Sequence, residues 1–145
     1  MAITSALCTS LKQELLTATH NFTASSGHTF KMALYTSSAT LGASTTAYSA
    51  TNEISNTSGS AYTAAGATLT SVTPTTSGTT AICDFSDVSW TSASFTANGA
   101  LIYNSSASNK AVCAIAFGSD KTVSSGTFTI QFPTPDSSNA IIRIS

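Results

Sequence analysis

The fold of this chain is decided by residues 81–103, which read AICDFSDVSWTSASFTANGALIY. Apolar side chains recur at every second position through Ala81, Cys83 and Phe85, and the pattern resumes at Val88. Because successive side chains of a strand point to opposite faces, a period of two is typical of strands with one buried face. The stretch therefore predicts consecutive β-strands.

The dipeptide Asn98-Gly99 lies inside this stretch, between apolar alternations that end at Ala97 and restart at Leu101. A type I′ turn needs positive φ at both central residues, which Asn and Gly tolerate. We therefore expect a tight hairpin at residues 98–99, with one strand on either side.

The same period of two extends outward in both directions, over residues 29–35, 111–117, 128–132 and 142–144. Turn-forming residues separate these runs at the spacing of a sandwich or barrel, for a total of about eight to ten strands. The fold class that we predict is mainly β, an antiparallel β-sandwich of immunoglobulin-like or jelly-roll-like type. It forms one domain over residues 1–145.

One helix is expected before the first strand. Leu7, Leu11 and Leu15 recur at the spacing of one helix face, which predicts a short amphipathic helix over about residues 5–18. A hydroxyl side chain of Thr4–Ser5 can supply its N-cap oxygen. The leucine face either covers one end of the sheet core or packs on a neighbouring subunit.

Residues 36–66 form a loop-rich region, because Ser, Thr and Gly clusters break every longer pattern there. Short extended pieces lie near Tyr48 and Tyr62. A stretch of this length without clear elements is usually functional or is ordered by a partner. We therefore add Tyr48 and Tyr62 to the three leucines as candidate interface residues.

Hydroxyl side chains dominate the composition, since 26 of the 145 residues are Ser and 26 are Thr. Charged residues make up 8% of the chain, against about 25% in ordinary globular domains. The hydrophobic share of 41% is too high for a disordered polar tract. Because the branched Cβ of Thr packs well on a pleated sheet, the composition agrees with the strand pattern.

The charge balance argues against two classes of partner. The net charge is -1 and the five cationic residues are scattered, so neither nucleic acid nor an anionic membrane surface is an expected ligand. A net charge this close to zero is unfavourable for the solubility of a free monomer. It favours a protein that works inside an assembly.

Candidate catalytic and metal-binding residues are few. Asp84 and Asp87 form a close acidic pair, but their spacing matches no calcium loop. His20 and His28, even with Cys8, would make an incomplete zinc site. The chain has no G-x-S-x-G motif and no glycine-rich phosphate loop. We predict that it is not an enzyme and has no catalytic, cofactor-binding or metal-binding residues.

Five aromatic residues could build a sugar-binding platform, because rings with polar tips serve both cores and interfaces. They are Trp90, Tyr35, Tyr48, Tyr62 and Tyr103. Since Trp90 lies on an apolar strand face, we expect it in the core.

Three cysteines at long spacings, Cys8, Cys83 and Cys113, allow two interpretations. We favour three buried reduced thiols. The alternative, a Cys83–Cys113 disulfide, would need an oxidising compartment. The N-terminus lacks the basic and continuous apolar regions of a signal peptide, and no apolar run reaches the length of a membrane span.

Six segments carry a resemblance that runs over nearly the whole chain. They are MAITSA (1–6), LKQELL (11–16), TFKMALYTSSATL (29–41), GALIYN (99–104), FTIQFP (128–133) and NAIIRI (139–144). With them the chain resembles a family of small proteins encoded by tailed bacteriophages, including phages of marine bacteria and cyanobacteria. The resemblance implies a structural component of the virion and brings no catalytic motif.

Three roles follow as expectations. The first is a capsid decoration or cement protein that stabilises the shell as a small homo-oligomer, with a trimer favoured. The second is a tail or fibre component that touches a host glycan. The third is a free soluble β-domain that binds a small molecule. In the first two roles the partners are the major capsid protein or tail proteins, and the location is the virion.

Overall fold

A computed structural model describes residues 2–55 and 57–145. The chain is mainly β, with two antiparallel sheets and one short helix, which confirms the predicted fold class. Met1 and Asn56, which belong to the predicted N-terminal segment and loop-rich region, lie outside the described residues. The elements are β1 (Ala6–Leu7), α1 (Thr9–Leu16), β2 (Phe30–Tyr35), β3 (Ala67–Thr68), β4 (Ser71–Ser77), β5 (Thr80–Phe85), β6 (Val88–Asn104), β7 (Lys110–Ile130) and β8 (Ile142–Ile144).

The larger sheet has the strand order β1-β7-β6-β2-β3, and the smaller sheet has the order β4-β5-β8. Neighbouring strands in both sheets are antiparallel. The helix follows β1 directly and lies near the last strand, with which it shares a surface groove. The chain therefore brings its first and last elements to the same end of the molecule.

A long ribbon of β6 and β7 runs through the larger sheet. Asn104 pairs with Lys110 beside the connecting turn, and Val88 pairs with Ile130 at the far end. β2 pairs only with residues 99–104 of this ribbon. The turn-proximal half of the ribbon is thus embedded in the sheet, and the other half extends beyond β2.

The predicted hairpin at Asn98-Gly99 is wrong, because both residues lie inside β6. Gly99 pairs with Tyr35 on one side and Ala116 on the other. A strand flanked by two partners has its conformation set by long-range pairing, which overrides the local turn preference. The ribbon turns instead at residues 105–109, where Ser108 and Asn109 adopt positive φ of 54° and 58°.

The helix is shorter than predicted and begins later. It spans Thr9–Leu16, and Cys8 is its N-cap without a side-chain hydrogen bond. Leu7 lies in β1 opposite Cys113, and the Cys8 amide donates to the Val112 carbonyl at 3.0 Å. Strand pairing with β7 therefore holds the residues before Thr9 in an extended conformation, so the expected cap at Thr4–Ser5 does not form.

β2 is buried on both faces, whereas its sequence pattern predicted one. Met32 and Leu34 are fully buried, but so are Ala33 and Tyr35. The loop-rich region covers the face that carries Ala33 and Tyr35, where the Tyr35 hydroxyl donates to the Ser49 carbonyl at 2.7 Å. A central strand covered on both sides loses the polar alternation of a half-buried one.

All three cysteines are free, buried thiols. Burial raises the pKa of Cys8 to about 11 and the pKa of Cys83 and of Cys113 to about 12. The thiolate is the reactive form of cysteine, so these side chains act as small apolar groups of the core at neutral pH.

Gly99 is predicted to tolerate no side chain. An added Cβ would lie 2.6 Å from the Ile115 carbonyl oxygen and 2.7 Å from Ile3 Cδ1. Overpacking of this kind costs about 1–3 kcal/mol, so Gly99→Ala should lower the free energy of unfolding by that amount in urea titrations. Gly126→Ala is the matched control in the same ribbon, because its added Cβ would make only ordinary contacts, with Val123 Cγ2 at 3.4 Å and the Ser124 carbonyl oxygen at 3.7 Å. Equal stability of the two variants would contradict the close approach.

Candidate subunit interface

Helix α1 and strand β8 border an apolar groove on the protein surface, which we call the α1–β8 groove. Its volume is about 370 Å³. Leu11 and Ile142 are buried at its base, whereas Leu16 and Ile144 stand 89% and 56% exposed beside it. The lining residues are Leu7, Leu11, Lys12, Leu15, Leu16, Ile142, Arg143, Ile144 and Ser145.

The exposure of Leu16 follows from helix geometry. Leu11 and Leu15 are four positions apart and lie on the same face of α1. Leu16 is turned by about 100° from Leu15, so it cannot share that face. A two-turn helix with three leucines on adjacent sides leaves one of them in solvent unless something else covers it.

A second apolar hollow of about 180 Å³ adjoins the groove and shares Leu15, Ile142 and Ile144 with it. Its other lining residues are Phe22, Pro74, Ala81, Ile82 and Cys83. The two hollows together form a continuous apolar surface across α1, β8 and β5. Contiguous apolar surface of this kind marks interaction sites on soluble proteins.

The predicted interface leucines therefore have unequal surroundings. Leu11 is fully buried within its own chain, and Leu7 and Leu15 are half-buried along the groove. Leu16, which does not belong to the pattern of leucines at every fourth position, is the most exposed of the four. That Leu7, Leu11 and Leu15 contact another subunit stays a prediction.

A buried polar network holds α1 to the rest of the chain through Glu14. His20 Nε2 lies 2.6 Å from Glu14 Oε2, and Asn104 Nδ2 lies 2.9 Å from Nδ1 of both His20 and His28. Asn104 is fully buried, and His20 is 8% exposed. His20 is thus a buried structural residue.

The hydrogen-bond partners in this network indicate which imidazole nitrogen carries the hydrogen. An amide nitrogen only donates, so Nδ1 of each imidazole accepts from Asn104. His20 then carries its hydrogen on Nε2 and donates it to the Glu14 carboxylate. Lys110 Nζ stands 3.8 Å from the other oxygen of Glu14. Asn104 Oδ1 accepts the Ser106 amide at 3.0 Å, so one side chain links two positions of the segment between α1 and β2 to the ribbon turn.

Tyr48 and Tyr62, the other two predicted interface residues, converge on one carboxylate. The hydroxyls of Tyr48 and Tyr62 donate to Glu53 Oε2 and Oε1 at 2.7 and 2.5 Å, and the Ala65 amide donates to Oε1 at 2.7 Å. Tyr62 is 3% exposed, and Tyr48 stacks on Tyr103 with ring centroids 4.6 Å apart. An interface role for either tyrosine stays a prediction.

Glu53 thereby orders the loop-rich region from within the chain. Sequence reasoning missed this residue, although a signal was present. Glu53 is the one charged residue between Lys31 and Asp84. A lone carboxylate in so long an uncharged stretch indicates a residue that is surrounded by hydrogen-bond donors, because an unpaired charge is costly to bury.

The remaining candidates do not assemble a reactive site. Asp84 lies in β5, and Asp87 accepts the Phe132 amide at 2.9 Å. Within residues 2–55 and 57–145, no group of three or more His, Cys, Asp or Glu side chains is placed to hold a metal ion. Trp90 is 7% exposed and packs edge-on against Phe95, which confirms its expected place in the core.

Asn104→Leu should be strongly destabilising, because it leaves the buried Nδ1 of His20 without a partner and removes the hydrogen bonds to His28 Nδ1 and from the Ser106 amide. An unsatisfied buried polar group costs about 1–3 kcal/mol and each lost hydrogen bond about 1 kcal/mol, so we expect a total loss of about 3 kcal/mol in urea denaturation. Asn98→Leu is the control, since Asn98 has a single exposed hydrogen bond to Asp120. A loss no greater than that of the control would contradict the network.

Alkaline pH should unfold the protein as its tyrosines ionise. Burial raises the pKa of Tyr103 to about 12 and raises those of Tyr35, Tyr48 and Tyr62 further. Unfolded tyrosines titrate near pH 10, so stability is complete below that pH and is lost as pH rises toward the folded-state values. Phenolate absorbance and circular dichroism, followed together, should change in one step. Complete ionisation near pH 10 with unchanged dichroism would contradict the burial.

Comparison with known proteins finds no matching protein-family model, no matching curated protein and no matching solved structure. In the part of the chain that the structure describes, no helix is long and apolar enough to cross a membrane.

Proposed function

We propose that this chain is a non-enzymatic structural protein of a tailed-phage virion that binds neighbouring subunits through the α1–β8 groove. The observation that carries the proposal is the exposure of Leu16 and Ile144 beside each other on a contiguous apolar surface. A free protein of such low charge gains solubility when this surface is covered. The resemblance to small phage proteins supports a virion as the assembly.

Capsid decoration is the role that we favour. The chain is small and has no repetitive fibrous stretch, and two adjoining apolar hollows lie together across α1, β8 and β5. The loop-rich region, which could have draped over neighbours, is tied to its own chain by Glu53. The groove is therefore the better candidate for contact with shell proteins.

The two other roles have less support. A glycan-binding fibre tip would favour exposed aromatic rings, whereas Trp90, Tyr35, Tyr62 and Tyr103 are all buried. A small-molecule binder has one observation in its favour, a polar hollow of about 440 Å³ along the loop-rich region. Its lining is largely hydroxyl side chains and lacks a convergent charged group, which makes a specific ligand hard to orient.

The mode of association follows from the composition. Contacts made by apolar side chains and hydroxyls are weakly screened by salt, whereas contacts between exposed charges are strongly screened. Binding of the protein to its particle should therefore persist in molar NaCl. Release at that salt concentration would show that exposed ion pairs dominate the contact.

The test is binding to particles of the phage whose genome encodes the chain. Immunogold labelling should place the protein on the shell. Leu16→Asp with Ile144→Asp should reduce its binding to depleted particles by at least tenfold, because two carboxylates would have to be buried in the groove. Val72→Asp is the matched control, since Val72 is also an exposed apolar side chain, 41% accessible, but lies on β4.

Gold on the tail would overturn the decoration role and favour the tail role. No gold on any part of the particle would overturn the virion role. Unchanged binding of the Leu16/Ile144 double variant would remove the groove as the contact surface. A glycan array with reproducible hits would favour the fibre role.

A further inference from the structure

The strand side of the α1–β8 groove is β8, the end strand of the smaller sheet. An end strand has one edge without a strand partner. Residues 142–145 line the groove and no β5 residue does, so the groove lies on the side of β8 away from β5. β8 pairs with β5 on its other side, and among the described residues no backbone group pairs with the groove side.

The helix side of the groove is apolar and faces this edge. The helix contributes residues from two neighbouring faces of α1, which are Leu11, Lys12, Leu15 and Leu16. A strand laid beside β8 would therefore meet open N–H and C=O groups along its backbone. Every second side chain of that strand would point at the leucines.

The charged side chains that line the groove favour one kind of added strand over another. Lys12 and Arg143 are the charged side chains that line the groove, and both are exposed cations. A second copy of β8 paired antiparallel about a twofold axis would bring Arg143 close to its own symmetry mate, and like charges across strands are destabilising. A segment that carries carboxylates is favoured by the same two cations.

We infer that the groove binds an extended segment of another protein as a fourth strand of the β4-β5-β8 sheet. The segment has apolar side chains at alternate positions and carboxylates near its ends. Strand addition of this kind takes affinity from main-chain hydrogen bonds and specificity from alternate side chains. The inference rests on the proposed function, because it names the partner chemistry of the same surface.

The short edge limits the affinity of one contact. β8 has three residues, so only a few hydrogen bonds can form along it. A particle that presents many copies of the segment compensates, because linked weak contacts raise the overall avidity.

The test uses the full chain and the synthetic peptide Asp-Val-Thr-Val-Thr-Val-Asp, with binding measured by calorimetry. We expect binding that weakens at least tenfold when the terminal Asp residues become Lys, and at least tenfold when all internal amide nitrogens are methylated. Lys12→Glu with Arg143→Glu should reverse the preference between the acidic and basic peptides. Lys121→Glu is the matched charge control, because Lys121 lies in the exposed part of β7.

Hydrogen exchange gives the second readout. The amides of residues 142–144 on the groove side should become protected when the acidic peptide is added, and remain unprotected with laurate, which is an apolar anion without a peptide backbone. Equal binding of the methylated peptide, or equal protection by laurate, would overturn strand addition. No binding of the acidic peptide at millimolar concentration would overturn it as well.

The two proposals fail in different ways. If the Leu16/Ile144 double variant still binds particles, the groove is not the contact surface. If that variant loses particle binding but the wild-type chain does not distinguish the methylated, acidic and basic peptides, the groove is the contact and the strand-addition inference is wrong.

Discussion

The pairing of residues 99–104 between β2 and β7 is the constraint on which the rest of this structure depends. Ala100, Leu101 and Ile102 are fully buried there, and Gly99 allows the Ile115 carbonyl to approach within a distance that no Cβ would permit. Because a slip of one residue would turn every side chain to the opposite face, this buried segment sets the register of the whole ribbon. The same pairing places Asn104 within hydrogen-bond distance of His20, His28 and Ser106.

Two of the few charges of this chain hold separate segments together from inside the molecule. Glu14 accepts a hydrogen bond from His20 and stands near Lys110, and Glu53 accepts hydrogen bonds from two tyrosines and a backbone amide. Charge-assisted hydrogen bonds are stronger than those between neutral groups, so these two carboxylates help to order the helix and a long loop. What distinguishes the α1–β8 groove from the hydroxyl-rich surface is its apolar lining.

The candidate site was accessible from the sequence only in part. The spacing of Leu11 and Leu15 correctly indicated an apolar helix face, since helix periodicity is a local property. The inclusion of Leu7 in that face was wrong, because Leu7 pairs with β7 as a strand residue, and the exposure of Leu16 depends on what β8 places beside it. The hydrogen bond between His20 and Asn104 was missed because the two residues are 84 positions apart in the chain, whereas the partners of Glu53 lie 5 to 12 positions away.

The sequence by itself determined the fold class, because a period of two, abundant Thr and frequent turn residues favour strands wherever they occur. It also determined the low charge. Only the tertiary structure decided which strands are continuous. Asn98-Gly99 shows why: its local preference is for a turn, yet Gly99 is paired with a strand on each side and both residues lie within β6. Burial, hydrogen-bond partners and the open edge of β8 arise from contacts between distant segments, which no local pattern encodes.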